Sequence, residues 1–280
     1  MEHPQPTSKF KGLHWSGRTD PGKYRPNNED AFMGLHFDAR EVHHLGAIGE
    51  GLTGEMDFAF AVSDGMGGAK AGEHASRVAV QKMTTLLPRA RAKSAGGSEA
   101  EFAGVLGGLF AEVHGALAYL GGSDEECGGM EATLSLCWFT PERMYFGHIG
   151  DSRIYHLPAQ TKTLRQLSHD DTHVGWLLRS GKINEREARS HPRRKVLQKA
   201  LGGRNQFITP QVDAVACEAG DVFLLCTDGL VEGLHDSDIE EFLRAPESTG
   251  LGVSSATWLV EEAVARCGRD NTTALVIRVV

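Results

Sequence analysis

The sequence predicts an α+β fold, in which antiparallel sheets pack together as one domain and helices lie on the outside. Apolar, strand-like runs occur along the whole chain, and those over residues 132–157 are joined by short turns, which favours antiparallel pairing. Helical patterns cluster between the strand segments instead of alternating with them one by one. No period of about 20–50 residues repeats, so the chain is not a solenoid.

The first half of the chain opens with a polar stretch, residues 1–12, that is predicted to be a flexible tail. Two short strands are expected next, and the apolar run Phe58–Val62 predicts a buried core strand. Two amphipathic helices should follow. The first is expected to end at Pro88, since proline terminates helical patterns, and the second covers residues 102–120. Their similar length indicates an antiparallel pair lying on a sheet.

The second half begins with a predicted hairpin over residues 132–149, followed by Gly150-Asp151-Ser152, which indicates a bulge or turn inside a strand pattern. Residues 168–203 are more polar. Short helical patterns there, the last at Lys195–Leu201, predict a helical flap insertion, either a solvated surface or a mobile cover beside a site. Strands and two further helices complete the chain, which closes on the strand Thr273–Val280.

Carboxylates recur at the ends of these apolar strands. Asp64-Gly65 follows the core strand, Asp228-Gly229 repeats that pattern, Asp270 precedes the last strand, and Glu29-Asp30 precedes an early one. If the strands share a sheet system, the acids converge, and a buried group of acids must be neutralised by protons or cations. A cluster of oxygen donors suits magnesium or manganese better than zinc.

Composition excludes several classes of protein. The net charge of −8 argues against a nucleic-acid binder. Five cysteines without C-x-x-C spacing fit reduced, buried thiols and a cytoplasmic location. The sequence shows no signal-peptide pattern, and no apolar run approaches the ~18 residues of a membrane span. A near P-loop at Gly17–Lys23 has Tyr24 where Ser or Thr would bind magnesium, so a nucleotide hydrolase is the weakest alternative.

Five motifs, in order along the chain, resemble the metal-dependent protein phosphatases of the protein phosphatase 2C type, in their bacterial subgroup. The resemblance runs from about Trp15 to Val280. It rests on these motifs: Arg25-Pro-Asn-Asn-Glu29-Asp30; Asp64-Gly-Met-Gly-Gly68 with Gly72-Glu73; Gly150-Asp-Ser-Arg153; Thr227-Asp-Gly-Leu230; and Asp270-Asn-Thr-Thr273. Each motif alone is a weak signal, but their common order is specific.

The resemblance implies a four-layer α-β-β-α sandwich of two antiparallel sheets flanked by helices, formed by residues 13–280. It also implies two tightly bound Mn or Mg ions and a weaker third. Asp64 would bridge the two tight ions with help from the Gly65 carbonyl. Glu29 would hold one ion, and Asp228 with Asp270 the other.

Further residues take supporting roles by the same resemblance. Arg25 would grip the substrate phosphate, Asp151 with Asp228 would bind the third ion, and Asp30 and Asn271 would support the ligands from behind. Two sites depart from the family pattern: Glu131-Ala132, where Gly-Thr is usual, and Asp171, where a histidine is common. Neither is a core ligand, so they bear on the flap and on substrate preference.

The function implied is hydrolysis of phosphoserine and phosphothreonine by a metal-bridging water. The expected partners are phosphorylated proteins and a cognate Ser/Thr kinase whose signalling the enzyme reverses, and the chain is expected to act as a monomer. The alternative is a catalytically silent relative that only binds partners. The intact set of Arg25, Glu29, Asp64, Asp228 and Asp270 argues against that alternative.

Overall fold

A computed structural model gives the structure of the chain and describes residues 10–94, 99–123, 127–161, 163–203, 208–245 and 254–280. Two antiparallel sheets pack face to face, and helices cover the outer side of each. This confirms the predicted α-β-β-α sandwich. The strands of the described residues are all paired antiparallel within their sheets.

The first sheet has six strands, in the spatial order β10 (Arg165–Gln166), β9 (Arg153–Leu157), β13 (Val222–Cys226), β14 (Thr272–Val279), β1 (Gly12–Asp20) and β4 (Ile48–Leu52). The first and last strands of the chain, β1 and β14, therefore lie side by side in the interior of this sheet. The strand pattern that continues after Gly150-Asp151-Ser152 forms β9 in this sheet, because the chain crosses from one sheet to the other at Gly150–Ser152.

The second sheet has eight strands, in the order β11 (Leu201–Gly202), β6 (Glu131–Ala132), β5 (Asp57–Met66), β7 (Leu134–Phe139), β8 (Arg143–Ile149) and β12 (Gln211–Ala216), with β2 (Asp30–Phe37) also paired to β5 and β3 (Val42–His44) paired to β2. The predicted core strand, β5, has the pattern of a strand covered on both faces, since residues 57–63 are all buried.

The helices form the outer layers: α1 (Ala69–Ser94) and α2 (Glu99–Ser123) on the second sheet, α5 (Asp228–Gly233), α6 (Asp236–Arg244) and α7 (Ser255–Arg266) on the first, and α3 (His173–Arg179) and α4 (Glu185–Ser190) in the flap. Three apolar cores separate the layers. The central one lies between the sheets and is rich in aromatic rings, such as Phe60 packed edge-on against Phe139.

Three predictions about the elements are wrong in detail. Residues 1–9 of the predicted tail lie outside the described residues. Of its last three residues, Phe10 is buried between the sheets, and Lys11 donates its amide to the Val280 carbonyl at 2.6 Å. Helix α1 continues past Pro88 to Ser94. The last turns are held because the Arg91 guanidinium pairs with the buried carboxylate of Asp57 at 2.6 Å.

The third error concerns Lys195–Leu201, which is not helical. The segment is extended and turn-like, with a single β-bridge between Leu197 and Thr172.

Helix α2 has the length and apolar composition of a membrane span, with a mean hydropathy of 1.3, contrary to the expectation that none would qualify. In this fold one face of α2 is buried in the core that it shares with α1 and the second sheet. That face comprises Phe102, Leu106, Leu109, Phe110, Val113 and Leu117. Its composition is that of a core helix of the sandwich.

Candidate metal and phosphate site

The predicted acids gather at one end of the sandwich, where strands of both sheets end. Asp30 begins β2 and lies opposite Asp64, near the end of β5. Asp228 follows β13, and Asp270 precedes β14 on the neighbouring strand. The four carboxyl groups therefore meet because the strands that carry them are adjacent within their sheets and the sheets are stacked. This confirms the expected convergence.

Asp64 is placed by β5 and by a close approach of two backbone segments. Two hydrogen bonds with Thr133 fix the backbone of Asp64. The Asp64 amide donates to the Thr133 hydroxyl at 2.9 Å, and the Asp64 carbonyl accepts from the Thr133 amide at 2.8 Å. A Cβ on Gly65 would overlap the carbonyl oxygen of Gly72 at the start of α1. Glycine is required there because the helix backbone lies directly against the strand end.

Asp30 is buried behind the cluster and joins the two sheets. One carboxyl oxygen, Oδ2, accepts hydrogen bonds from the hydroxyls of Thr227 and Thr273, both at 2.7 Å. The other, Oδ1, has no hydrogen-bond partner among the described residues. Burial raises the pKa of Asp30 to about 7, and the charges of Asp228 and Asp270 add to the rise. The two hydrogen bonds act in the opposite direction but do not cancel it. A protonated or cation-neighboured carboxyl is therefore favoured here.

Asp270 is surrounded by cationic side chains. Arg25 pairs with its Oδ1 at 2.9 Å, and the Lys195 ammonium lies 2.7 Å from its Oδ2. Burial alone would raise the pKa of Asp270, but the hydrogen bond and charge of Lys195, with Arg25, lower it below its ordinary value. Asp270 is therefore held ionised, unlike Asp30.

Asp228 shares the same lysine. Lys195 Nζ lies 3.5 Å from Asp228 Oδ2 and 2.8 Å from Glu232 Oε1, which is one turn further along α5. Burial, partly offset by Lys195, raises the pKa of Asp228 to about 6, with Asp270 and Glu232 adding to the rise. The ammonium thus sits among three carboxylates.

Glu29 and Arg25 lie on the loop before β2, and Asn271 fixes this loop beside Asp270. The Asn271 amide donates to the carbonyls of Pro21 and Asn27, at 2.9 and 2.8 Å, and its oxygen accepts from the Glu29 amide at 2.8 Å. Burial raises the pKa of Glu29, although Arg25 opposes the shift. Asn271 therefore fixes the backbone of Glu29 beside Asp270.

Asp151 lies on the turn by which the chain crosses from the second sheet to the first. Burial raises its pKa well above the ordinary value, and the charge of Asp228 adds to the rise. The turn is fixed by a 2.7 Å contact between the Ser152 and Thr133 hydroxyls, and Thr133 also holds Asp64. Thr133 therefore links the backbone of Asp64 to the turn that carries Asp151.

The two departures from the family pattern take structural positions at the flap. Asp171 Oδ2 accepts from the Gly150 amide at 3.3 Å, while its Oδ1 pairs with Lys199 at 3.1 Å. It thereby ties the start of the flap to the Asp151 turn. The carboxylate of Glu131 lies against Gly203 at the far end of the flap, where a Cβ would overlap it.

The electrostatics of the cluster favour a cation. Burial raises the pKa of Asp64 well above its ordinary value, and the charges of Asp30, Asp228, Asp151 and Asp270 raise it further. Mutual repulsion of this kind is relieved by hard cations, which prefer carboxylate and carbonyl oxygens.

The donor set fits manganese or magnesium, but the described residues do not form a closed cage. Among them, no three His, Cys, Asp or Glu side chains are spaced to hold a metal ion as they stand. The carboxylates of Asp228 and Asp270 instead turn to Lys195. Asp30 Oδ1, which has no hydrogen-bond partner among the described residues, agrees with a site that holds further positive charge.

Sequence reasoning missed two members of this cluster, Lys195 and Glu232. Glu232 had a usable signal, since it follows Asp228 by four residues in a helix and must lie on the same face. Lys195 had none, because it was assigned to a helix at the basic end of the flap, and only the fold brings that turn to Asp270.

Comparisons with known proteins agree with this geometry. The family model described as Protein phosphatase 2C matches residues 48–262. The serine/threonine protein phosphatase PstP of Mycobacterium tuberculosis is 34% identical over 271 residues, which are 96% of this chain and 45% of PstP. The serine/threonine phosphatase stp of Listeria welshimeri is 31% identical over 95% of both chains.

A solved structure gives the same result. The catalytic domain of PstP in complex with two manganese ions is 30% identical, with a TM-score of 0.73 over 96% of this chain and 99% of that one. The chain spans about half the length of PstP but nearly all of its catalytic domain. The chain belongs to the protein phosphatase 2C family, which confirms the resemblance.

Proposed function

We propose that the chain is a metal-dependent phosphatase that hydrolyses phosphoserine and phosphothreonine in proteins. The observation that carries this proposal is the convergence of Asp64, Asp228 and Asp270 at one sandwich end, with Arg25 beside them. The relatives are named serine/threonine phosphatases, and one relative's structure holds two manganese ions.

The ligands would be those implied by the sequence. Asp64 with the Gly65 carbonyl, Glu29, Asp228 and Asp270 would hold the ions. Two Mn²⁺ or Mg²⁺ ions bound there would supply Lewis acidity and an activated water for attack on phosphorus. Asp151, near Asp228, is proposed to serve a third, weaker ion.

The chain's own groups would orient the substrate. Arg25 is half-exposed and lies on the rim, where its planar fork can donate to two phosphoryl oxygens at once. Asn271 holds the backbone of Glu29 beside Asp270, and Asp30 joins the strand ends through Thr227 and Thr273. These contacts fix the acids in place before a substrate arrives.

The wider role is also a proposal. The expected substrates are phosphorylated proteins, and the enzyme would reverse a cognate Ser/Thr kinase in bacterial signalling. The cysteines fit the cytoplasm, because Cys137, Cys217 and Cys226 are all buried as free thiols. The chain is proposed to act as a monomer.

The test is turnover of p-nitrophenyl phosphate and of a phosphothreonine peptide, with manganese or with excess EDTA. We expect activity with manganese, none in EDTA, and recovery when manganese is restored. Asp270→Asn should abolish it, while Asp213→Asn, which changes an exposed acid on β12, should not. A folded wild-type chain that binds phosphopeptide but never hydrolyses it would favour the silent binding module instead.

A further inference from the structure

The Lys195 ammonium occupies the acid cluster as a cation would. It lies 2.7 Å from Asp270, 2.8 Å from Glu232 and 3.5 Å from Asp228. Of these acids, Asp228 and Asp270 are the ones proposed to hold a metal ion. An ammonium and a divalent ion held at contact distance by the same two carboxylates repel each other, so each weakens the binding of the other.

We infer that Lys195 is a tethered cation that competes with the divalent ion of Asp228 and Asp270, so that ion binding and docking of the flap exclude each other. The inference rests on the proposed function, since it takes these two aspartates as metal ligands. Lys195 would thus be a residue of the metal site that sets its affinity.

The way in which the flap is attached supports the inference. Besides Lys195, the turn at residues 191–196 is joined to α5 by Arg194, which is 3.5 Å from Glu232. Arg189 of α4 reaches the carbonyls of Val231 and Leu234 at 3.3 and 3.2 Å. The contacts of Lys195 with Glu232 and Asp270 are shorter than all of these, so its release removes the firmest link between this turn and the acids.

The lysine is also free to leave. Its side chain is 42% exposed, and the turn that carries it is neither helix nor strand. The long, flexible stem lets the ammonium move into water when a divalent ion offsets the charge of the carboxylates. By linkage, whatever weakens this contact must tighten ion binding by the same factor, and the reverse.

Calorimetric titration with MnCl₂ of the metal-free wild type and of Lys195→Met tests the competition. We expect the dissociation constant of the tight manganese step to fall by about five- to tenfold in Lys195→Met, at the low end of typical coupling. Lys195→Arg keeps a charge and should stay near the wild type. Lys199→Met is the matched control, because Lys199 is similarly exposed but pairs with Asp171, and it should change the affinity by less than about twofold.

Hydrogen exchange separates displacement from a mere change of charge. Manganese should speed exchange of the Val196 amide, which donates to Arg193 within the docked turn at 3.1 Å. In Lys195→Met that amide should exchange fast with or without manganese. An unchanged manganese affinity in Lys195→Met, or a turn whose exchange ignores manganese in the wild type, would overturn the inference.

These results also separate the inference from the proposed function. If the wild type binds no manganese at all, the assignment of Asp228 and Asp270 as ligands fails. If it binds manganese and Lys195→Met binds it equally tightly, the assignment stands and only the competition fails.

Discussion

The site has two walls, which are built by different forces. The core wall consists of the acids at strand ends, Asp30, Asp64, Asp228 and Asp270, and it is positioned by strand pairing and buried cores. The flap wall, residues 168–203, reaches the same site through ion pairs of Lys195 and Arg194. Salt and bound ligands change buried packing little, whereas they weaken half-exposed ion pairs by screening or by competition. The core wall is therefore suited to hold ligands, and the flap wall to move.

The largest effect is expected at the centre of the core wall. Asp64→Asn should lower turnover of the phosphothreonine peptide by at least about a thousandfold, because removal of a central carboxylate forfeits several kcal/mol of transition-state stabilisation. The same variant should melt at a higher temperature than the wild type in EDTA, since burial and like charges disfavour the ionised Asp64 carboxyl.

Opposite signs for function and stability distinguish a site from a packing element. Melting curves in EDTA and steady-state kinetics with manganese provide both numbers. A variant that loses activity and stability together would instead assign Asp64 a structural role.

Arg25 tests the rim of the core wall. Arg25→Ala should reduce kcat/KM by about tenfold or more, as expected for loss of a charge-assisted hydrogen bond worth roughly 1.5–3 kcal/mol. Arg25→Lys should recover only part of the loss because the two-pronged geometry is gone. Manganese affinity measured by calorimetry should stay within a few-fold of the wild type. Wild-type kinetics in Arg25→Ala would remove it from the substrate site.

Asp151 tests the joint between the walls, on the turn that Asp171 ties to the flap. Asp151→Asn should keep the fold and the tight ions. It should lower kcat on phosphopeptides by about tenfold, or about 1.4 kcal/mol of barrier, because the weak ion proposed near Asp228 would be lost. Calorimetry should show the weak step missing and the tight steps intact. Full kcat would return Asp151 to a turn-forming role.

The smallest expected effect is on the pH dependence of stability and concerns His148, a buried residue that connects the two walls. Its Nε2 lies 3.1 Å from the Gly150 carbonyl and 3.2 Å from that of His169, at the start of the flap. Burial lowers the pKa of His148. When the pH falls below the ordinary histidine pKa near 6.5, the unfolded chain therefore binds more protons than the folded one. The contribution of neutral His148 to the free energy of unfolding is therefore present at neutral pH and lost as the pH falls.

The measurement is the melting temperature between pH 7.5 and 5. We expect a decline of a few degrees in the wild type and a flatter profile in His148→Gln, whose amide can still donate to the carbonyls. Equal slopes in the two proteins would show that other groups set the pH dependence.

The core wall could be predicted from the sequence because each of its acids is next to its own strand. A run such as Phe58–Val62 followed by Asp64-Gly65 encodes both the strand and the group at its end. The flap wall could not be predicted in the same way. Lys195 reaches Asp270 across 75 residues of sequence, and nothing local marks that contact.

Other errors have the same physical origin. Pro88 predicted a helix end from local chemistry, but the long-range pair of Arg91 with Asp57 keeps the helix going. The polar neighbours of Phe10 predict a tail, yet its side chain is buried between the sheets. In each case a tertiary contact outweighed a local preference.

Anomalous diffraction at the manganese edge, from crystals grown with MnCl₂, tests the account most directly. We predict two strong peaks against Asp64, one on the side of Glu29 and one on the side of Asp228 and Asp270. We also predict that Lys195 Nζ has left Asp270. The absence of manganese from the acid cluster, or manganese bound with Lys195 still in contact with Asp270, would contradict it.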